Sequence, residues 1–329
     1  MLKTLIFDRI EQFCIRENLI SPDQSLIIGL SGGPDSVFLV YFFKALQKKY
    51  NLKLIAAHVD HGWRTESPKD AAFCKQLCFD LGIEYHEKKL HDIKQGKRLS
   101  GSLEQDARNA RRAFFQELAA ESHADAIALA HHQDDLIETF FIRLIRGSGL
   151  SGLTGIKPHN GLYIRPLLEI SKKEILAYLQ KKSIHYCIDT TNQDSNFLRN
   201  NIRHTLVPAY CALDKRATEN LVRALDQLQQ ADKFIEKIAQ EQFRSLMHNN
   251  HLDCKAFFEH DPVVQHRILL LWIISSGVSF TPTENFFAEI LRFFKQPESK
   301  THWIASTWGI KKTKHTATII KKTFKNTYS

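Results

Sequence analysis

Over the first ~200 residues, short apolar runs alternate with helix-patterned stretches, and this alternation restricts the fold more than any other feature of the chain. Residues 26–30 (LIIGL) form an apolar run that ends in a glycine-rich turn, and residues 37–48 behind it have helical spacing. Residues 52–59 (LKLIAAHV) read as a second buried strand, 69–81 as a second helix and 83–87 as a third strand. Residues 102–122 form a long helix, 125–130 (DAIALA) another buried strand, and 133–146 the helix after it. Strand and helix in repeated alternation predict an α/β domain, a parallel sheet with helices on both faces. Sheets of this kind bind ligands beyond the carboxyl ends of their strands.

Near Asp214 the pattern changes. Leu221, Leu225, Leu228, Ile235, Ile238 and Leu246 follow helical spacing, which predicts a linking helix or helical pair. Two further helical patterns, 263–275 and 283–294, precede strand-like segments near 303–306 and 316–320. The expected organisation is a catalytic domain over 1–212, a helical linker over 213–248 and a small α+β domain over 249–329.

A chain of 329 residues is long enough for two domains, and 43% hydrophobic with 25% charged residues is ordinary for a soluble globular protein. The formal charge of +9 makes an anionic partner plausible without saying which. Six cysteines with no CxxC pair suit a reduced cytoplasm, and Cys74 and Cys78 fit one buried helix face better than a ligand pair. Asp8, Arg9 and Glu11 interrupt the first apolar run, so it is not a signal peptide. The longest apolar stretch, 268–278, is shorter than the ~20 residues of a membrane span. The oligomeric state is left open, a homodimer included.

Ser31, Gly32, Gly33, Pro34, Asp35 and Ser36 lie between the first strand and its helix. Glycines let the backbone approach an anion, and successive N–H groups at a helix start form a nest for phosphate. The same residues also suit a plain β-turn with Ser and Asp as helix caps. The loop itself is neither a GxxxxGK[ST] nor a GxGxxG, so it carries no lysine of its own to grip phosphates. An acid at Asp35 would repel phosphate unless Mg2+ lies between them; otherwise it is a helix-start residue.

The segment His131-His132-Gln133-Asp134-Asp135-Leu136-Ile137-Glu138 follows the strand at 125–130. Asp135 and Glu138 share a helix face, and clustered acids need a cation: Mg2+, an arginine or a positively charged substrate. Alone, the segment also reads as an acidic helix start favoured by the dipole, or as a set of metal-ligand types. Arg108 and Arg111 share a face of the preceding helix, where they could clamp anionic oxygens or lie solvated.

Together these segments resemble a known family. The string SGGPDS is similar to the PP-loop of ATP pyrophosphatases, and ALAHHQDDLIETFFIRLIRGSGLSGLTGI resembles the signature of the tRNA(Ile)-lysidine synthetases, with Phe141 where leucine is usual. Residues 58–64 (HVDHGWR) resemble that family's HV[ND]HGLR, with Trp63 replacing leucine, and residues 107–111 (ARNAR) resemble its ARxxR, followed by Arg112 in place of tyrosine. RPLL at 165–168, DTTN at 189–192 and RNNIR at 199–203 continue the likeness, which is strong over about residues 24–210. A tRNA thiolase would share SGGPDS, but such enzymes commonly carry reactive cysteines or a CxxC.

The resemblance implies ligation of free L-lysine to C2 of the wobble cytidine of a CAU-anticodon tRNA(Ile). ATP is consumed through an adenylated tRNA, AMP and pyrophosphate leave, and the tRNA then reads AUA as isoleucine. Ser31 to Ser36 and His58 would bind ATP, Asp35 would contact Mg2+, and Asp135 and Glu138 would hold the lysine ammonium. Arg111 and Arg203 would steady negative charge during the reaction, and Arg108 and Arg199 would meet tRNA. In the tail, no acid follows Glu298, while Lys311, Lys312 and Lys314 lie among Trp303, Trp308 and Phe324; they are expected on a tRNA-gripping sheet face, or on a basic edge that blocks aggregation.

Overall fold

The computed structural model describes residues 2–60, 67–90, 103–187, 198–278, 280, 283–296 and 299–322. Residues 61–64 and 189–192 of the expected segments, together with Glu298, Phe324 and Lys325, lie outside these. The chain forms two compact units, Met1–Leu225 and Asp226–Ser329.

The first unit opens with helix α1 (Leu2–Arg16), strand β1 (Ser25–Gly29), α2 (Pro34–Tyr50), β2 (Lys53–Asp60), α3 (Ser67–Leu81) and β3 (Glu84–Lys89). It continues with α4 (Leu103–Ser122), β4 (Ala126–Ala128), α5 (Gln133–Ile145), the short α6 (Leu150–Leu153), β5 (His159–Asn160), β6 (Tyr163–Ile164) and α7 (Lys172–Lys181). Then come α8 (Leu198–Asn201), a π-helical turn (Ile202–Leu206), α9 (Val207–Leu213) and the start of α10 (Ala217–Leu246). Strand order is β3-β2-β1-β4-β6-β5, parallel except for β5.

Period-two alternation places the core on both faces of this sheet. Leu26 and Ile28 of β1 pack with Phe38, Phe42 and Phe43 of α2, and Ile27 between them packs with Phe114 and Phe115 of α4. Cys74 and Cys78 are fully buried on one face of α3. Helix α1 buries Phe7, Ile10 and Phe13 in the α2 cluster. The strand expected at 125–130 is shorter, because from Leu129 onward the chain turns into the loop that starts α5.

The start of α2 explains the loop before it. Pro34 occupies the first turn, where its missing N–H costs nothing, and Gly33 caps the helix with extended φ −69° and ψ 164°. Gly32 has φ +84°, and a Cβ there would lie 3.2 Å from Cys74 Sγ and 3.3 Å from Cys187 Sγ, so glycine is required on both counts.

The second unit contains the rest of α10, then β7 (Met247–His248), β8 (His251–Asp253), α11 (Cys254–Phe257), α12 (Pro262–Ser275) and α13 (Glu284–Lys295). Strands β9 (Thr301–Trp303), β10 (Trp308–Lys312) and β11 (Thr316–Lys321) complete an antiparallel sheet ordered β7-β8-β11-β10-β9. The glycine and paired lysines of β10 hide its strand character in the sequence. Alternation along β10 turns Lys311 outward but Ile310 and Lys312 inward. Lys312 is 4% exposed and its ammonium donates to the Gln296 carbonyl, so it is not part of an exposed basic face; Lys311 and Lys314 are exposed.

The core of this unit, around Trp272, Phe257, Ile290 and Phe294, also encloses an ion triad in which Arg267 of α12 binds Asp232 and Glu236 of α10. Arg267 and Asp232 are both buried. Removing one member of a buried pair strands the other charge, so Arg267→Ala should lower the stability of this unit by about 3–5 kcal/mol. Urea midpoints of the two proteins measure it; a change below ~1 kcal/mol would mean that water reaches Asp232 and compensates it.

Candidate active site

Strand β1 has β2 on one side and β4 on the other, so the chain leaves it in both directions and a crevice opens beyond its carboxyl end. Residues 31–36 emerge from β1 into that crevice and residues 131–138 emerge from β4. Ser36 Oγ donates to Gly33 O at 2.9 Å and accepts from Ser31 N at 3.1 Å, which closes the loop on itself. The first N–H groups of α2 have no partner within the helix. His58, buried at the end of β2, places Nδ1 2.8 Å from Leu30 O; a carbonyl only accepts, so Nδ1 carries the proton and Nε2 is the ring's acceptor.

Helix α5 begins with a capping box in which Asp135 Oδ2 accepts from His132 N at 3.1 Å. The His132 ring lies among acids: 3.4 Å from Asp134, 3.6 Å from Asp135 and 3.7 Å from Asp35. Burial alone would lower its pKa, but these carboxylates outweigh burial and raise it above the ordinary histidine value. Asp134 and Asp135 are in turn held below the usual carboxylate range: burial opposes this, and bonding to His132, with the Lys172 N–H for Asp134 and the charge of Arg199 for Asp135, prevails.

The cation on the acidic face is arginine. Arg199 donates Nε to Glu138 at 2.8 Å and Nη2 to Asp135 at 2.9 Å. Arg203 donates Nε and Nη2 to Glu138 at 2.6 and 3.1 Å. Glu138 is 2% exposed, so these bonds supply the compensation its burial demands. The π-helical turn at Ile202–Leu206 carries Arg203 and follows directly on α8, which carries Arg199.

Lys172 was not singled out by sequence. Its ammonium donates to both oxygens of Asp35, at 2.6 and 2.7 Å, and its backbone N–H donates to Asp134 at 2.8 Å. The Ser171–Glu174 capping box that starts α7 is a legible SxxE signal, but nothing local shows that this helix start reaches a loop 137 positions earlier.

A third group adjoins these. His131 is half-buried, and its Nδ1, shielded from solvent, has no hydrogen-bond partner among the described residues. Burial, with Arg165, Arg111 and Arg199 around the ring, overcomes Asp135 and lowers its pKa to about 4. Arg111 is itself lowered, by burial first and then by Arg108. Arg112 stacks over Tyr163 at 5.1 Å. Thus Asp35, Asp135, Glu138, Arg111, Arg199 and Arg203 converge in one unit, with Arg108 exposed at its edge, while Lys311, Lys312 and Lys314 belong to the other unit. No group of three His, Cys, Asp or Glu side chains arranged to cage a metal occurs among the described residues.

The two adjacent histidines should therefore titrate apart. By NMR, His131 should take its proton near pH 4 and His132 above the ordinary histidine range. Neutral His131 makes the fold lose stability as pH falls from ~6.5 toward its lowered pKa, because the unfolded chain binds that proton first. Protonated His132 acts oppositely: its contribution is complete below ~6.5 and disappears as pH rises through its raised pKa. Coincident midpoints would contradict the opposed environments.

A profile of the PP-loop domain family matches residues 3–210. Among curated proteins, the chain is 33% identical to the tRNA(Ile)-lysidine synthase of Geobacillus kaustophilus over 84% of this chain and 62% of that protein. It is 37% identical to the one from Caldanaerobacter subterraneus over 71% of this chain and 50% of that protein, and 31% identical to the one from Francisella tularensis over 82% and 65%. The matches thus cover between half and two thirds of each relative's length. A U34-tRNA thiolase from Methanococcus maripaludis, solved with its [4Fe-4S] cluster, superposes with a TM-score of 0.57 over 68% of this chain and 77% of its own at 21% identity, a likeness of fold. With the strand–loop–helix geometry of residues 25–50 in place and the family profile spanning 3–210, the chain belongs to the PP-loop family.

Proposed function

We propose that this protein joins free L-lysine to C2 of the wobble cytidine of a CAU-anticodon tRNA(Ile) at the expense of ATP. The observation that carries this reading is the meeting of the SGGPDS loop and the residue 131–138 segment in one crevice, with the arginines of α8 and the π-turn across from them. The similarity to tRNA(Ile)-lysidine synthases supports the choice of substrates.

The chemistry divides into two transfers. The cytidine C2 oxygen attacks the α-phosphorus of ATP, the bond between the α-phosphorus and the bridging oxygen breaks, and pyrophosphate leaves. The lysine ε-amine then attacks C2, a C–N bond forms, the C–O bond to the adenylate breaks and AMP leaves. Ser31, Gly32, Gly33, Pro34, Asp35 and Ser36 hold the phosphate end of ATP, and His58 offers Nε2 beside them. Asp35 would be the residue to hold Mg2+, sharing its carboxylate with the Lys172 ammonium that occupies both oxygens, and the ion would supply positive charge for the leaving pyrophosphate. Arg111, near His131, and Arg203, bonded to Glu138, supply positive charge for the adenylate.

Asp135 and Glu138 are the acids for the lysine ammonium, which reaches them by exchange with Arg199, the arginine bonded to both. The ammonium, with a pKa near ~10.4 in water, must shed a proton before attack. The contacts of Glu138 favour a second reading as well, in which it anchors Arg199 and Arg203 and never touches the amino acid. Exposed Arg108, Lys311 and Lys314 are the candidates for tRNA phosphate contacts.

Labelled lysine, ATP and a CAU-anticodon tRNA(Ile) transcript test the reading directly: label should enter the tRNA only when all three are present with the protein. Glu138→Gln keeps shape and removes charge; it should weaken lysine use about tenfold or more, the worth of one charge-assisted bond, while ATP use changes less. Equal losses in both substrates would assign Glu138 to anchoring the arginines.

A further inference from the structure

The PP-loop brings negative charge to a place that must hold more of it. Its own residues offer neutral N–H groups, two hydroxyls and the Asp35 carboxylate, and no lysine or arginine. Cleavage of ATP next to the α-phosphorus leaves pyrophosphate, whose charge grows as the bridging bond breaks. A cation from elsewhere in the fold is needed, and helix α7 delivers one.

We propose that Lys172 is a catalytic residue whose ammonium binds the departing pyrophosphate and takes the place of the lysine that the loop lacks. The proposal rests on the ATP-cleavage reading above and extends it to a residue outside every recognised motif. Three observations carry it. The ammonium sits on both oxygens of Asp35, in the first turn of α2, where the phosphate-facing N–H groups emerge. An ammonium has three N–H donors, and two are committed to Asp35, which leaves one for a phosphoryl oxygen without breaking the pair. The side chain is one-third exposed, so it is open to a ligand in the crevice.

Its backbone is fixed for the task. Lys172 N–H is tied to Asp134 of α5, Ser171 and Glu174 cap the same turn, and Glu174 is held by Arg9. One residue thereby spans the loop after β1 and the segment after β4. Asp35 then acts as the group that keeps the ammonium aimed.

The test compares ligands that differ only in the phosphates Lys172 would touch. Binding of pyrophosphate, of a non-cleavable ATP analogue and of AMP is measured by calorimetry on the full chain, without tRNA or lysine. Lys172→Met should weaken pyrophosphate and the analogue about tenfold to hundredfold, the range of one charge-assisted hydrogen bond, and leave AMP nearly unchanged. Lys172→Arg should restore most of the pyrophosphate affinity. Equal weakening of AMP and the analogue would reduce Lys172 to a structural tie, and unchanged binding of all three would remove it from the site; either result overturns the proposal. Where Lys172→Met does not fold, the wild-type chain is acylated with an amine-reactive ester: pyrophosphate should protect Lys172 and AMP should not, and equal protection by both overturns it. These readouts need no lysine transfer, so a failure of the lysine reading leaves them standing and their failure leaves that reading intact.

Discussion

Strand β1 pairs in parallel with β2 along one edge, Ile27 opposite Ile55, and with β4 along the other, Ile27 opposite Ile127. Because the chain goes from β1 to β2 and β3 on one side and returns to β4 on the opposite side, the helices that follow β1 and β4 diverge. The crevice between their first turns holds the polar chemistry of the first unit. Apolar clusters on both faces fix this arrangement, with β1 buried throughout its centre, so the loop at 31–36 and the segment at 131–138 have little freedom to separate. Helix starts at both positions leave first-turn N–H groups without carbonyl partners in their own helices.

Within that space charge balance decides the local structure. Four acids, Asp35, Asp134, Asp135 and Glu138, would repel one another if left bare. Lys172 takes Asp35, His132 lies among three of them, and Arg199 and Arg203 take Asp135 and Glu138. Beyond this acid-rich layer the sign reverses: burial, with Arg165, Arg111 and Arg199, keeps His131 neutral, and Arg108 disfavours the charge on Arg111 and Arg165. A site with an acidic layer against a basic one suits a reaction that handles an amine, a phosphate and a charged leaving group together.

The α/β alternation and the strand–loop–helix at 25–50 were legible, because each depends on local periodicity and on residue types at short spacing. The cation that meets Asp135 and Glu138 was open among three kinds, since their partners lie 61 to 65 positions away and only folding brings them in. Lys172 was illegible for the same reason. Lys312 shows the converse limit: a lysine count cannot tell which face of a strand a residue takes, and alternation with Ile310 turns this one inward, onto a carbonyl. The Arg267 triad, spread over two helices, leaves no short motif at all.

The central claim is that this crevice cleaves ATP between the α- and β-phosphates to activate a tRNA base for attack by lysine. ATP labelled at the α-phosphate, incubated with the protein, lysine and a CAU-anticodon tRNA(Ile), reports it most directly. The account predicts labelled AMP in step with lysine incorporation, and a labelled tRNA that accumulates and then disappears when lysine is added last. Labelled ADP as the nucleotide product, or AMP formed at the same rate without tRNA, would contradict it.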